Sequence, residues 1–444
     1  MPSFQSGITV AGQGAGKSSS LVIPNLFTLD HCSLVITDTK GSIYAQTSGD
    51  LARRGFDIKV LNLMEPARSH AYNPLARSRT PLDVIRTVEM IYRARGGRSG
   101  DPFWDDGAMR VLRIMAQCLI NRGEPEQANL ANVKHLLDHF DGHKKGGRID
   151  GFVVESTLSD PQTYSDYRGL IGTTAEKTLL SFVTEAATAL RLFASPEIAA
   201  LMARDQFDFS ELRERKTALY VMCRQQDMGV YGFILNMFFR DLFDELLGSL
   251  SGSLPVFMLL DEFGHLKVPN FEVYATTARE YRVGFWLFLQ SLGQLEHQYG
   301  RSGAETILDG IGTRTFFGGM GLDVAERLSR ELGTTKNADG REERLMRPET
   351  IRGMEDGSML LLHRNKKPAL LSMTPYFQHR QFKKRAATPA HPLPDLPLSF
   401  PLVDLDGTVP AGGEPVGADG DAPPADHGRD ARDAIAATLI PPSS

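Results

Sequence analysis

An α/β fold built on a mostly parallel sheet, interrupted by an all-α segment and followed by a disordered tail, is the class this sequence predicts. Three observations carry the prediction. Short runs of consecutive apolar residues recur at 7–10, 33–38, 57–62, 217–222, 255–260 and 284–290, the pattern of strands covered on both faces. Between about 82 and 205 that pattern gives way to apolar residues at helical spacing, such as Val84, Ile85, Val88 and Ile91. Finally, a glycine-rich turn, Ala11-Gly12-Gln13-Gly14-Ala15-Gly16-Lys17-Ser18, joins the first strand to an apolar-periodic segment from Leu21 to Phe27.

Strand, glycine-rich turn and helix in that order form the context of a phosphate-binding loop. Glycines let successive backbone N–H groups turn inward around phosphate oxygens, and the new helix points its positive end at them. Residues Gly12, Gln13, Gly14, Ala15, Gly16, Lys17, Ser18 and Ser19 are the expected nucleotide contacts. Lys17, expected on the solvent side, would reach the β- and γ-phosphates, and the Ser18 hydroxyl would help to hold Mg²⁺. Ala11 stands where the pattern G-x-x-x-x-G-K-[ST] has its first glycine.

The second strand runs into Asp38-Thr39-Lys40-Gly41-Ser42, a polar turn at the carboxyl end, where open α/β sheets place ligands. After the third strand, Tyr72-Asn73-Pro74-Leu75 makes a turn set by Asn-Pro. Helical patches then lie at 111–120, 130–140, 174–193 and 196–202, with basic glycine-rich loops at 93–98 and 143–148 that read as solvated. The strand pattern resumes at 217–222. A long helix at about 229–247 and further strands at 313–317, 358–362 and 369–373 follow, the last two as a hairpin. Beyond 386 the composition turns to Pro, Ala, Gly and Asp, with eight acidic residues against two arginines from 401 onward, so disorder is expected. The expected divisions are therefore 1–80 and 206–385 for the nucleotide-binding domain, 81–205 for the all-α insertion and 386–444 for the tail.

The fifth strand ends in Asp261-Glu262, four apolar residues followed by two carboxylates. Asp261 would hold Mg²⁺ through water, and Glu262 would orient and polarise an attacking water. Phosphoryl transfer needs mainly positioning and charge stabilisation, so a cation, a lysine and a carboxylate supply most of it. Gln290, at the end of the next strand, would sense the γ-phosphate. Lys17, Glu262 and Gln290 are thus the candidate catalytic set, with Ser18 and Asp261 for the metal and Mg²⁺-ATP as the implied ligand. A neighbouring subunit would supply an arginine in trans. Arg279 and Arg314 are the candidates.

The 444 residues are 41% hydrophobic and 23% charged, ordinary for a globular protein. A formal net charge of −5 excludes attraction of polyanions over the whole surface, so nucleic-acid contact would depend on local patches or an assembled pore. Cys32, Cys118 and Cys223 are far apart and odd in number, the signature of buried thiols in a reducing compartment. No apolar run approaches the ~20 residues needed to span a bilayer. Only six residues precede the first strand, so the start reads as naturally short, cut or miscalled.

Taken together, these motifs resemble the type IV coupling proteins, the conjugative DNA transfer ATPases of type IV secretion. The resemblance rests on residues 11–18 with Leu21-Val22-Ile23-Pro24-Asn25-Leu26, on Asp38-Thr39-Lys40-Gly41 and Tyr72-Asn73-Pro74-Leu75, and on Leu259-Leu260-Asp261-Glu262-Phe263 and Gln290-Ser291-Leu292, in consistent order over about 7–380. It implies a RecA-like P-loop NTPase motor with an inserted all-α domain, assembled as a hexamer. It also implies a role linking relaxase-bound DNA or effector proteins to a secretion channel with ATP, at the cytoplasmic side of the bacterial inner membrane. The DNA contact would be largely independent of sequence. Family members usually begin with transmembrane helices, which this sequence lacks, so a soluble cytoplasmic form is also expected. Two other readings compete: a weakly catalytic cargo-docking module, and a chromosome or plasmid DNA translocase. The five residues Lys17, Ser18, Asp261, Glu262 and Gln290 argue against the first. The turns at 38–41 and 72–75 argue against the second.

Overall fold

Eleven strands account for the sheet structure of the computed structural model, which describes residues 5–93, 102–248, 252, 254–336, 338 and 340–406. They are β1 (Gly7–Val10), β2 (Ser33–Asp38), β3 (Asp57–Asn62), β4 (Thr217–Met222), β5 (Val256–Leu260), β6 (Val283–Leu289), β7 (Thr313–Phe317), β8 (Thr334–Lys336), β9 (Glu342–Arg344), β10 (Ser358–His363) and β11 (Ala369–Ser372). The start of the chain, most of the 93–98 loop and the tail from 407 lie outside the described residues. The chain divides into two units, Met1–Tyr72 with Gln206–Leu396, and Asn73–Asp205 with Pro397–Ser444.

The first unit holds a nine-stranded sheet in the order β11-β10-β7-β1-β6-β5-β2-β4-β3. The seven strands from β7 to β3 are parallel, and β10 and β11 add antiparallel at one edge. Every residue of β1, β2 and β4 is buried, as expected of parallel strands with helices on both faces. The order matters for the site. Strand β6 lies between β1 and β5, with Val10 opposite Leu289 and Leu260 opposite Leu287. The carboxyl ends of all three strands therefore open at one edge, where residues 11–18, 261–262 and 290 follow directly. Close packing fixes that arrangement: a Cβ at Gly7 would sit 2.8 Å from the Trp286 indole, and the Trp286 Nε1–H donates to Thr9 Oγ1 at 2.7 Å. Thr9 and Thr315 in turn share a buried hydroxyl hydrogen bond of 2.7 Å, so the polar atoms in this core are paired.

The second unit is helical: Pro81–Arg93, Pro102–Asn121, Leu130–Asp138, Arg148–Ser156, Pro161–Thr173, Glu176–Ala189 and Pro196–Leu201. Helix starts follow ordinary capping chemistry. Asn129 accepts from the Asn132 N–H, and Asp160 accepts from the Thr163 N–H with Pro161 at the first position. Helices 102–121 and 176–189 meet where Gly107 leaves room for Phe182; a Cβ there would lie 2.4 Å from the ring.

The segment 387–406 departs from the expected disorder. The first unit holds its beginning: the His391 N–H donates to Ser48 Oγ at 3.0 Å, and the Leu396 N–H to the Ala67 carbonyl at 2.8 Å. In the second unit Val403 and Leu405 are buried, and the Val403 N–H donates to Asn132 Oδ1 at 3.0 Å. Proline-rich backbone without helix or strand still packs when its isolated apolar side chains find pockets. No helix among the described residues is long and apolar enough to cross a membrane.

Candidate nucleotide site

The loop after β1 is anchored by the Ala11 N–H, which donates to the Leu289 carbonyl at 3.1 Å. Gly14 and Gly16 take φ of 77° and 86°, a left-handed conformation that side chains disfavour, while Gln13, Gly14 and Ala15 are exposed at the tip. A helical segment follows without a break, Ser18–Val22 in π geometry and then Ile23–Thr28. Lys17 corrects the expectation of a solvent-side ammonium. It is only 6% exposed, and its Nζ donates to the carbonyls of Ala11 at 2.9 Å and Gly12 at 3.3 Å. Folded under the loop, the charge faces inward and stays hydrogen-bonded, which a buried ammonium requires.

Asp261 and Glu262 sit across from it. Asp261 Oδ2 accepts from the Ser18 hydroxyl at 3.0 Å, and its carbonyl accepts from Thr37 Oγ1 at 2.8 Å. Burial, followed by the negative charge of Glu262, pushes the Asp261 carboxyl up to about 6; the Ser18 hydrogen bond and Lys17 act the other way. Glu262 adopts φ 53°, a left-handed backbone rarely taken by non-glycine residues. In this turn its Oε1 lies 3.9 Å from Lys17 Nζ, and its Oε2 accepts from Gln290 Nε2 at 2.9 Å. Lys17, Glu262 and Gln290 therefore form one chain of contacts, with Ser18 and Asp261 beside it. Asp38, 1% exposed, is occupied by the N–H groups of Lys40 (3.0 Å) and Tyr44 (2.8 Å), and burial raises its pKa.

These residues fit a Mg²⁺-bound polyphosphate. Exposed glycine backbone, a lysine ammonium and a hydroxyl–carboxylate pair offer donors to phosphate and hard oxygens to Mg²⁺. Among the described residues no group of three or more His, Cys, Asp or Glu could hold a metal, so a cation would share its coordination with phosphate and water.

The two arginine candidates lie elsewhere. Arg279 is exposed in the turn before β6, and Arg314 is in β7 at the level of Ile8; both are at the amino-terminal end of the sheet. Arg314 is bound to the Glu331 carboxylate. Three residues at the site carry no motif of their own. They are Thr37, Gln294 and Tyr376, whose N–H donates to the Ser19 carbonyl at 2.9 Å.

The family model for type IV secretory system conjugative DNA transfer matches residues 1–394. The chain belongs to this family. It is 26% identical over 407 residues to VirD4 of Rhizobium radiobacter, covering 85% of this chain and 58% of that protein. It is 25% identical over 372 residues to the conjugal transfer protein TraG of Escherichia coli, covering 74% of this chain and 55% of the relative. The chain thus spans a little over half the length of these relatives. Among solved structures, the coupling protein TrwB in complex with ADP and Mg²⁺ superposes with a TM-score of 0.61 at 18% identity, over 84% of this chain and 86% of that one. TrwBdeltaN70 in complex with sulphate gives the same score at 17% identity, with the same coverage. The shared fold is the RecA-like P-loop architecture expected from the resemblance. The three cysteines of this family member are free and buried, and burial pushes the Cys32 and Cys223 thiols up to about 12.

Proposed function

We propose that this coupling-protein family member is an ATPase that recruits relaxase-bound DNA or effector proteins and drives their delivery to a type IV secretion channel. The observation that carries the proposal is the contact chain Lys17–Glu262–Gln290 beside the Ser18–Asp261 pair. A protein that only docked cargo would need none of this arrangement. Mg²⁺, held through Ser18 and Asp261, would neutralise charge on the β- and γ-phosphates. Lys17 would exchange its carbonyl partners for phosphate oxygens. Glu262 would accept a hydrogen bond from the attacking water and orient it, while the Gln290 amide fixes the carboxylate and reads the γ-phosphate.

Assembly into a ring, of six subunits by family resemblance, would bring an arginine of one subunit to its neighbour's site. Of the two candidates, Arg279 is solvent-exposed, whereas Arg314 already has a carboxylate partner. A net charge of −5 makes DNA binding a property of the ring lumen rather than of the monomer, with little base preference and a steep salt dependence. The test is steady-state Mg-ATP hydrolysis with no DNA, with single-stranded DNA and with duplex. Turnover that rises with DNA supports the reading, and turnover that is absent under all three conditions refutes it.

A further inference from the structure

The proposed chemistry needs Gln290 held against Glu262, yet Gln290 sits in the short turn between β6 and the helix Gly293–Gly310. One side chain governs that turn. Gln294 Oε1 accepts from the Gln290 N–H at 2.8 Å and from the Ser291 N–H at 3.4 Å. Its Nε2 faces His265 Nε2 at 3.3 Å, and Gln225 Nε2 approaches the same imidazole nitrogen at 2.7 Å. Two amide N–H groups aimed at one ring nitrogen cast His265 Nε2 as their acceptor. Gly264 makes the approach possible. A Cβ there would lie 2.4 Å from the Gln294 amide, so any side chain would expel it.

We infer that Gln294 is the positioning residue of the ATPase site, clamping the Gln290 turn to the segment that follows Glu262. The inference rests on the ATPase reading given above. The clamp holds backbone at one end and a side chain at the other. At one end it holds the peptide of Gln290, whose side chain reaches Glu262 Oε2. At the other it ties, through His265, to the turn that sets the left-handed backbone of Glu262. Through Gln225 it also reaches the loop that follows β4. Three strand ends are thus joined by one hydrogen-bond chain, and the Glu262 carboxylate keeps one oxygen for Gln290 and the other toward Lys17. Loss of the clamp leaves the phosphate loop intact and lets Gln290 swing, so turnover suffers and nucleotide binding does not.

The experiment measures kcat for Mg-ATP, affinity for a fluorescent ATP analogue with Mg²⁺ and the thermal midpoint in the full chain. Gln294→Ala is expected to lower kcat 10- to 100-fold with affinity unchanged within threefold. Gly264→Ala, which expels the same amide from the other side, should do likewise. Gln294→Glu keeps the acceptor for both N–H groups but gives up the Nε2 donor toward His265, so its rate should fall between those of Gln294→Ala and the wild type. Wild-type kcat in Gln294→Ala overturns the inference. So does a fall in affinity and thermal midpoint in step with the rate, which would mark a packing role, or a Gln294→Glu rate no better than that of Gln294→Ala. Glu262→Gln run alongside separates the two levels. If the wild type hydrolyses and Glu262→Gln does not, a normal Gln294→Ala sinks the clamp alone; if Glu262→Gln hydrolyses like the wild type, the site reading itself falls.

Discussion

Replacing Asp261 by Asn should stabilise the protein in the absence of Mg²⁺ and nucleotide, more so as pH rises. In the fold the carboxyl is raised to about 6, against 3.8 for the unperturbed group, so the native state holds its proton where the unfolded chain has released it. Stability then falls as pH rises from about 4 through about 6, because in that window the native state binds more protons than the unfolded state. A tenfold difference in proton affinity is about 1.4 kcal/mol, so the loss reaches roughly 3 kcal/mol at pH 8 and about half that at pH 5. Asn keeps an oxygen for Ser18 and carries no charge to desolvate. Its advantage over the wild type should therefore grow by roughly 1–2 kcal/mol between pH 5 and pH 8. Urea midpoints in EDTA would show it, followed through Trp286 fluorescence in a Trp104→Phe background, which leaves one of the two tryptophans. An Asp261→Asn protein less stable than wild type at every pH, or an advantage independent of pH, would rule out a raised carboxyl at Asp261.

Further expectations follow from other contacts. Lys17→Ala should abolish tight Mg-ATP binding by titration calorimetry; because Lys17 is buried on loop carbonyls, it should also lower the thermal midpoint by a few degrees, and retained affinity would rule out the site. Asp50 is fully covered and bound by Arg385 (Oδ2 to Nε 3.0 Å) and Arg53 (2.7 Å); burial pushes its pKa up, but these hydrogen bonds, with the charges of Arg385 and Arg54, hold it below the usual range. Asp50→Asn should cost about 1–3 kcal/mol at pH 7. That stability is present above the unfolded pKa and is lost as pH falls through the lower folded value, so a cost that persists unchanged at pH 3 would contradict the assignment. Mixing Glu262→Gln chains with Arg279→Ala chains should restore ATP turnover that neither has alone. Normal hydrolysis by Arg279→Ala on its own would exclude that arginine as the one acting in trans.

Parallel strands were legible because burial on both faces demands unbroken apolar runs, as in Leu34-Val35-Ile36 and Ala218-Leu219-Tyr220-Val221. The loop and the Asp261-Glu262 pair were legible because phosphate and Mg²⁺ chemistry restricts residue type. The pairing of β8 with β9 was not, since Thr334–Lys336 and Glu342–Arg344 are largely exposed and show no alternation. Helix Pro161–Thr173 was missed because it buries Thr163, Tyr167 and Leu170, a stripe with a single aliphatic residue. Nor does composition reveal that 387–406 packs: its burial comes from scattered residues such as Leu396 and Val403, not from any periodic face. At the site, Gln294 and Tyr376 act through backbone partners, which leave no pattern in side-chain identity.

Single-turnover hydrolysis of Mg-ATP by wild type and Glu262→Gln, in the presence of DNA, decides whether Glu262 activates the attacking water. The substitution keeps the shape of the side chain that meets Lys17 and Gln290, removes its charge and turns one of its two acceptor oxygens into an NH2 donor. Nucleotide affinity should stay within a few-fold of wild type while the rate falls at least 100-fold, about 3 kcal/mol in barrier height. Equal rates, or lost binding with an unchanged rate per bound site, would contradict that role.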